Sequence, residues 1–248
     1  MIGQTALVIT AWRRPYYLKR VLKSWAKVPE VMDVPRLAIA LGRHEKQPEM
    51  LTVIADAEKR IGREIEIIHD SDRATACMTC NGTIPEAADL MFKDPQINFF
   101  VLGEEDLVVA DDVLAYMDWC AERFASEPKV LTVNAFIEGE EHADPATVKL
   151  RHDFRGWVWG TWRDRWEQVL APQWDWDAAF GKFQSGHDWH IDKRIMPAGG
   201  YLSAAPMASR VQNIGQWEGT AADPSDFPAT QSPSFRPCRG SVTFRLEE

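Results

Sequence analysis

Three carboxylates side by side, Glu104, Glu105 and Asp106, leave the apolar run 98–102. Adjacent like charges disfavour one another's ionisation, so water, cationic side chains or a divalent metal must compensate them. A hard cation bridging a carboxylate and a diphosphate would supply that compensation. The position suits this use, because ligands of an open α/β sheet bind beyond the carboxyl ends of its strands. The same triplet would also serve as a solvated acidic turn.

Other residues with chemical potential lie on either side. Arg13 and Arg14 follow an apolar run, where an arginine can hydrogen-bond phosphate or stack on a base, or stay a solvated turn cation. Asp70, Asp72 and Arg73 follow another apolar segment. Seven tryptophans fall between Trp157 and Trp189, and most large aromatics of this kind are buried packing. Cys77 and Cys80 have C-x-x-C spacing, but a structural zinc needs about four ligands and no second pair exists. Cys120 and Cys238 stand far apart, so ordinary thiols are expected rather than a disulfide framework.

The elements that must hold these residues alternate. Ala6–Thr10, Leu37–Leu41, Ile65–His69, Asn98–Leu102 and Lys129–Asn134 read as short strands. Between them run helical patterns: one from Pro15 carrying Leu18, Val21, Leu22 and Trp25, one over Pro48–Ile61, one opened by Pro85, and one after Asp111 and Asp112, which are suited to capping it. This predicts an α/β fold with a mostly parallel sheet flanked by helices. Past Glu138 the pattern becomes irregular, and the last 28 residues, rich in Pro and Ser, read as a wrapping tail or loop.

The chain has 248 residues and 45% apolar content, enough for one domain or one domain with a smaller subdomain. A net charge of -9 argues against a surface built chiefly for nucleic-acid backbone, while leaving room for a local basic groove. No apolar stretch approaches the roughly 20 residues of a membrane span and no signal peptide is visible, so a cytoplasmic protein without membrane partners is expected.

The triplet with its following Leu107 to Asp111 resembles the metal-binding acidic motif of GT-A glycosyltransferases. Phe99 to Leu114 is most similar to the family of the Golgi N-acetylglucosaminyltransferase that initiates complex N-glycans, with Glu-Glu-Asp here for Glu-Asp-Asp there. Ile9 to Leu18 resembles the opening strand and turn of the same enzymes. Gly156-Trp157-Val158-Trp159 and Gly186-His187-Asp188-Trp189, then Pro206, Ser209-Arg210 and Asn213-Ile214-Gly215, follow in the same order.

The resemblance implies an inverting, metal-dependent transferase on a GT-A fold with an irregular Trp-rich acceptor-side half. Residues 1–137 would bind the nucleotide sugar, 138–220 would form the acceptor and catalytic half of the same domain, and 221–248 would be the tail. Asp106 would bind Mn or Mg. Arg14, Asp72, Arg73, Glu104, Glu105, Arg210 and Asn213 would serve the nucleoside-diphosphate sugar, a UDP-sugar by preference. The Asp that many members place after the second strand to read uracil is replaced here by Gly42-Arg43-His44.

Asp188 would be the catalytic base, with Trp157, Trp159 and Trp189 on the acceptor. A helix cap or salt bridge is the alternative for Asp188, and Asp175, Asp177 and Asp192 are its rivals. His187 and His190 are read as ordinary polar-face residues rather than ligands.

Two other classes compete. A sugar-nucleotide-forming nucleotidyltransferase would carry a Gly-rich phosphate loop after its first strand, which Trp12-Arg13-Arg14-Pro15 lacks. A non-catalytic carbohydrate-binding protein on the same scaffold has no need of both the triplet and Asp188. The acceptor stays open among a glycan, a protein and a hydroxylated DNA base, and the oligomeric state is not legible.

Overall fold

The computed structural model describes residues 1–71, 80–176, 186–217, 227–228 and 230–247. Asp72, Arg73, Cys77 and Asp177 lie outside them. In chain order the strands are β1 (Thr5–Ala11), β2 (Arg36–Leu41), β3 (Glu66–His69), β4 (Phe99–Glu104), β5 (Leu107–Val109), β6 (Val130–Asn134), β7 (Thr147–Arg151), β8 (Trp159–Trp162), β9 (Leu202–Pro206), β10 (Val211–Asn213) and β11 (Arg245–Leu246). The longer helices are α1 (Pro15–Trp25), α2 (Gln47–Ile61), α3 (Cys80–Phe92) and α4 (Val113–Arg123).

Nine strands form one sheet in the order β11-β7-β9-β6-β8-β4-β1-β2-β3, and β5 pairs with β10 in a small antiparallel ribbon. The pairs β3-β2, β2-β1, β1-β4, β6-β9 and β7-β11 are parallel, so the sheet is mostly parallel, as its apolar runs predict. β1 is buried along its whole length. Its alternate residues serve two cores: Leu7 and Ile9 pack with Leu18, Trp25 and Ile54 on one face, and Ala6 and Val8 with Ile84, Ala88 and Met91 on the other. Pro15 opens α1 where its missing N–H costs nothing, and Gly62, with φ +88°, ends α2 in the left-handed conformation.

Four readings change. α3 begins at Cys80, so Pro85 lies inside it rather than at its start. Pro85 has no N–H for the carbonyl of Asn81 four residues back, and the indole Nε1 of Trp174 donates to that oxygen instead, at 2.7 Å. β4 continues past Leu102 to Glu104, because Gly103 and Glu104 keep register with Ile9 and Thr10 of β1. The stretch after Glu138 conceals strands: β7, β8 and β9 all join the central sheet, with β8 antiparallel between β4 and β6.

Asp111 and Asp112 do not cap α4 with their side chains. Asp111 accepts from the backbone N–H of Arg239 at 2.7 Å, which fastens the C-terminal segment. Asp112 pairs with Arg210 at 3.2 Å, and Arg210 is 0% exposed. Its guanidinium also donates to the carbonyls of Ala208 and Pro145 and lies 5.0 Å from the Tyr116 ring centroid. Phe244 closes this region against Tyr116 and Trp119, and β11 pairs with β7.

A buried cation stripped of its carboxylate is costly, so Asp112→Ala is expected to lower the unfolding free energy by about 3–5 kcal/mol. Urea denaturation checks this. A loss below about 1 kcal/mol would mean that the pair does not hold the small ribbon to the sheet.

Candidate active site

β4 delivers the triplet to the carboxyl end of the parallel strands, but its members face different ways. Glu105 is only 5% exposed. Its Oε2 accepts from the backbone N–H of Trp12 at 2.8 Å, and its Oε1 accepts from Arg14 Nε at 2.7 Å. It therefore clamps the turn between β1 and α1, an inward role that the triplet pattern alone did not reveal. Arg14 extends across to Asp106, with Nη2 to Oδ2 at 2.9 Å. Arg14 Nη1 is buried and has no hydrogen-bond partner in the described residues.

The structure thus brings Arg14 to the triplet, whereas Arg13 lies over the Trp12 ring at 4.5 Å. Asp106 is held from above as well. Its carbonyl accepts from Ile214 N at 2.9 Å, and a side chain at Gly215 would collide with its carboxylate. Asn213 lies at the end of β10, where its Oδ1 accepts from Gly215 N at 2.6 Å, so it shapes the loop over Asp106.

Nothing in the described residues donates a hydrogen bond to the Glu104 carboxyl, which is pushed up to about 8. Burial is the first cause, followed by the charges of Asp106 and Asp188. The Asp106 carboxyl is also raised, by burial, against the opposing pull of Arg14. The second carboxylate named by Glu104's electrostatics, Asp188, belongs to a different wall.

That wall is built from 154–157 and from the helical turn His187–His190. Gly186 has φ +111°, and a Cβ there would lie 2.8 Å from Asp188 Oδ1. At Gly156 a Cβ would lie 3.1 Å from that of Asp188. Both glycines therefore let the backbone close around one carboxylate. Asp188 Oδ1 accepts from Trp189 N at 2.8 Å, and the side chain opens on a cavity of about 280 Å³ that Phe136, Glu138, Arg155, Trp157 and Trp189 also line.

Val158 stands at φ +47°, a strained conformation for a β-branched residue, and its carbonyl accepts from Ala135 N at 2.8 Å. This kink separates its neighbours. Trp157 packs on Phe136 and borders the cavity, while Trp159 turns into the core, 0% exposed, between Phe154 and His187.

Two expected site residues are accordingly placed elsewhere. Trp159 has no face free for an acceptor because it is core. Arg210 is enclosed with Asp112, so its guanidinium does not reach the triplet. Asp70 lies just past β3, buried, with its Oδ1 accepting from the Thr83 hydroxyl at 2.9 Å, and burial raises its carboxyl. Asp192 accepts from Phe154 N at 2.7 Å and pairs with Lys193, which ties the cavity floor together. Glu138 and Arg155, paired at 3.2 Å across the cavity rim, carried no sequence signal.

With this geometry in view, comparison with solved structures gives a clear likeness. The mannosyltransferase PcManGT from Pyrobaculum calidifontis, solved in complex with GDP-Man and Mn2+, superposes with a TM-score of 0.51 at 12% identity. The match covers 83% of this chain and 55% of that one, so the chain spans about half the length of that protein. The fold is GT-A. Lower similarity links it to A197 from STIV (TM-score 0.42, 9% identity, 84% and 83% of the two chains) and to S. aureus TarS (0.34, 11%, 49% and 20%). No family model matches the sequence, and no curated protein matches it. Among the described residues no helix is long and apolar enough to cross a membrane.

GT-A folds are associated with a divalent metal. Among the described residues no group of three or more His, Cys, Asp or Glu side chains could hold one unaided. Mg and metals of similar preference, however, are commonly bound by one or two carboxylates plus substrate phosphates and water. Glu104 and Asp106, each raised by burial, fit that smaller share.

A raised carboxyl pKa means that the folded state binds more protons than the unfolded one between about 4.5 and about 8. Glu104 thus favours folding at low pH and loses that contribution as pH rises through about 8. The metal-free protein is expected to melt at a lower temperature at pH 8 than at pH 6, and Glu104→Gln should flatten this slope. An unchanged slope in the variant would show that Glu104 is not the group responsible.

Proposed function

We propose that the protein is a metal-dependent, inverting glycosyltransferase that moves a sugar from a nucleoside diphosphate to an acceptor hydroxyl. One observation carries the reading: a cation-clamped acidic cluster and a separate carboxylate in an aromatic cavity lie near enough for Asp188 to raise Glu104. In this reading residues 1–137 bind the donor, 138–220 form the acceptor and catalytic half, and 221–248 are the C-terminal tail.

Asp106, with Glu104, would hold Mn or Mg, which when bound would supply positive charge opposite a nucleoside diphosphate. Arg14 adds a second cation whose free Nη1 hydrogen-bonds a phosphate oxygen. Glu105 acts by positioning, since it locks the turn from which Arg14 extends. Asn213 and Gly215 close over the donor side of Asp106.

Asp188 takes the acceptor proton as the hydroxyl attacks the anomeric carbon from the face opposite the leaving group, which inverts that centre. Trp157 and Trp189 bound the acceptor and keep water from the reacting atoms. Asp72 and Arg73 are donor contacts in the same scheme.

The order of motifs shared with the Golgi N-acetylglucosaminyltransferase supports a UDP-sugar. The GDP-Man of the similar mannosyltransferase makes GDP-sugars the first competitor. The acceptor is drawn from glycans, proteins and hydroxylated DNA bases.

Calorimetry with UDP-, GDP- and dTDP-sugars, with Mn or Mg, followed by mass detection of product, tests the assignment. Asp106→Ala is expected to lose metal-dependent donor binding. Asp188→Asn should keep donor affinity within about threefold while transfer falls by roughly 10²–10⁴. Normal turnover in Asp188→Asn would remove it as the base, and no donor binding by the wild type would remove the whole reading.

A further inference from the structure

The acidic balance of the chain is not evenly spread. Between Met1 and Pro29 there are six basic residues, Arg13, Arg14, Lys19, Arg20, Lys23 and Lys27, and no Asp or Glu, in a chain whose net charge is -9. α1 sorts them by its periodicity. Tyr17, Leu18, Val21, Leu22 and Trp25 are buried against the sheet, while Tyr16, Lys19, Arg20, Lys23 and, just past the helix, Lys27 are exposed. Their spacing, i, i+3, i+4, i+7 and i+11, sets them along one face.

Among the described residues no carboxylate pairs with Lys19, Arg20, Lys23 or Lys27, whereas most other arginines of the protein carry a carboxylate or carbonyl partner. A row of uncompensated cations on an acidic protein costs self-repulsion and invites a polyanion.

The aromatic groups at the N-terminal end of the row say which kind. Tyr16 is 68% exposed and Trp217 is 60% exposed, the two largest exposures among the big hydrophobic side chains of the described residues. Trp217 sits beside α1: its backbone N–H donates to the Tyr17 hydroxyl at 3.0 Å, and the Tyr17 ring is 5.6 Å from that of Tyr16. Arg20 lies over the exposed Tyr16 ring at 5.8 Å, and at the head of the helix Arg13 lies over Trp12 at 4.5 Å.

We propose that the exposed face of α1, with Tyr16 and Trp217 at its end, docks a single-stranded nucleic acid, the phosphates along Lys19, Arg20, Lys23 and Lys27 and bases on the two rings. Cations that follow a backbone beside aromatic faces that accept any base are the two parts of such a surface. A flat anionic membrane fits less well. The row is one helix wide, so a planar surface would also meet the acidic remainder of the protein, while a strand need touch only the row. The apolar face of α1, which a membrane-bound helix would insert, is already buried in the core. The inference does not depend on sugar transfer, since it is read by binding alone.

The test is fluorescence anisotropy of the full chain with a labelled oligothymidylate of roughly 20 nucleotides, from about 50 to about 200 mM salt. Wild type is expected to bind, with affinity falling as salt rises. The combined Lys19→Glu, Arg20→Glu and Lys23→Glu variant should bind at least about tenfold more weakly and lose about 2 from the log–log salt slope. Tyr16→Ala with Trp217→Ala should weaken binding by at least about thirtyfold at an unchanged slope.

Both variants change exposed side chains, and unaltered melting curves would show that they fold. No binding by wild type at the lowest salt, or equal binding by the charge-reversed variant, overturns the proposal. So does tighter binding to phosphatidylserine vesicles that the oligonucleotide fails to displace, which would make the face a membrane contact. Equal affinity for duplex and single strand, with the aromatic variant unaffected, overturns the single-strand assignment.

Discussion

Four carboxylates, Glu104, Glu105, Asp106 and Asp188, gather at the carboxyl edge of the sheet, and one guanidinium, that of Arg14, is ion-paired within the cluster. The organisation of the cleft follows from how that excess of negative charge is tolerated. Glu105 is satisfied by being turned inward, where two backbone or side-chain N–H groups of the β1–α1 turn donate to it at 2.8 and 2.7 Å. Asp106 shares Arg14 and is hemmed in by the Ile214–Gly215 backbone. Glu104 has neither, and its raised pKa expresses the deficit. A divalent ion would offset that deficit, as the proposed function requires.

The opposite wall is made by conformations that ordinary residues avoid. Gly186 at φ +111° and Val158 at φ +47° are local costs, offset by the packing around them. The first leaves room for the Asp188 carboxylate, and the second sends Trp157 to the cavity and Trp159 to the core. Behind both walls the buried Asp112–Arg210 pair and the returning C-terminal strand hold the β5–β10 ribbon, and hence the loop over Asp106, against the sheet. Arg210 therefore supports the cleft without facing it. Outside the cleft, the buried half of α1 leaves its cations Lys19, Arg20 and Lys23 on one exposed face.

Much of this was legible in the residues themselves. Unbroken apolar runs such as Leu7 to Ile9 and Phe99 to Leu102, short and bounded by turn residues, read as central strands flanked by helices, since both of their faces demand burial. The helical stripe Leu18, Val21, Leu22, Trp25 and the acidic triplet at a strand end were equally local, because periodicity and adjacency are properties of the chain. The later strands were hidden because β7 to β10 are short, partly exposed or tryptophan-rich, and their pairing partners are distant in sequence.

By itself, then, the sequence determined the α/β fold, the acidic triplet at the end of β4, and the arginines that follow β1. Tertiary structure alone decided which carboxylate faces inward and that Trp159 and Arg210 are enclosed; Arg14 and Asp188, both named from the sequence, acquired their partners in the cluster only there. The reason is physical. A side chain's type and its neighbours in the chain state what it needs, but the partner that meets the need comes from an element tens of residues away: Glu105 from Trp12 and Arg14, Asp106 from Gly215, Arg210 from Asp112.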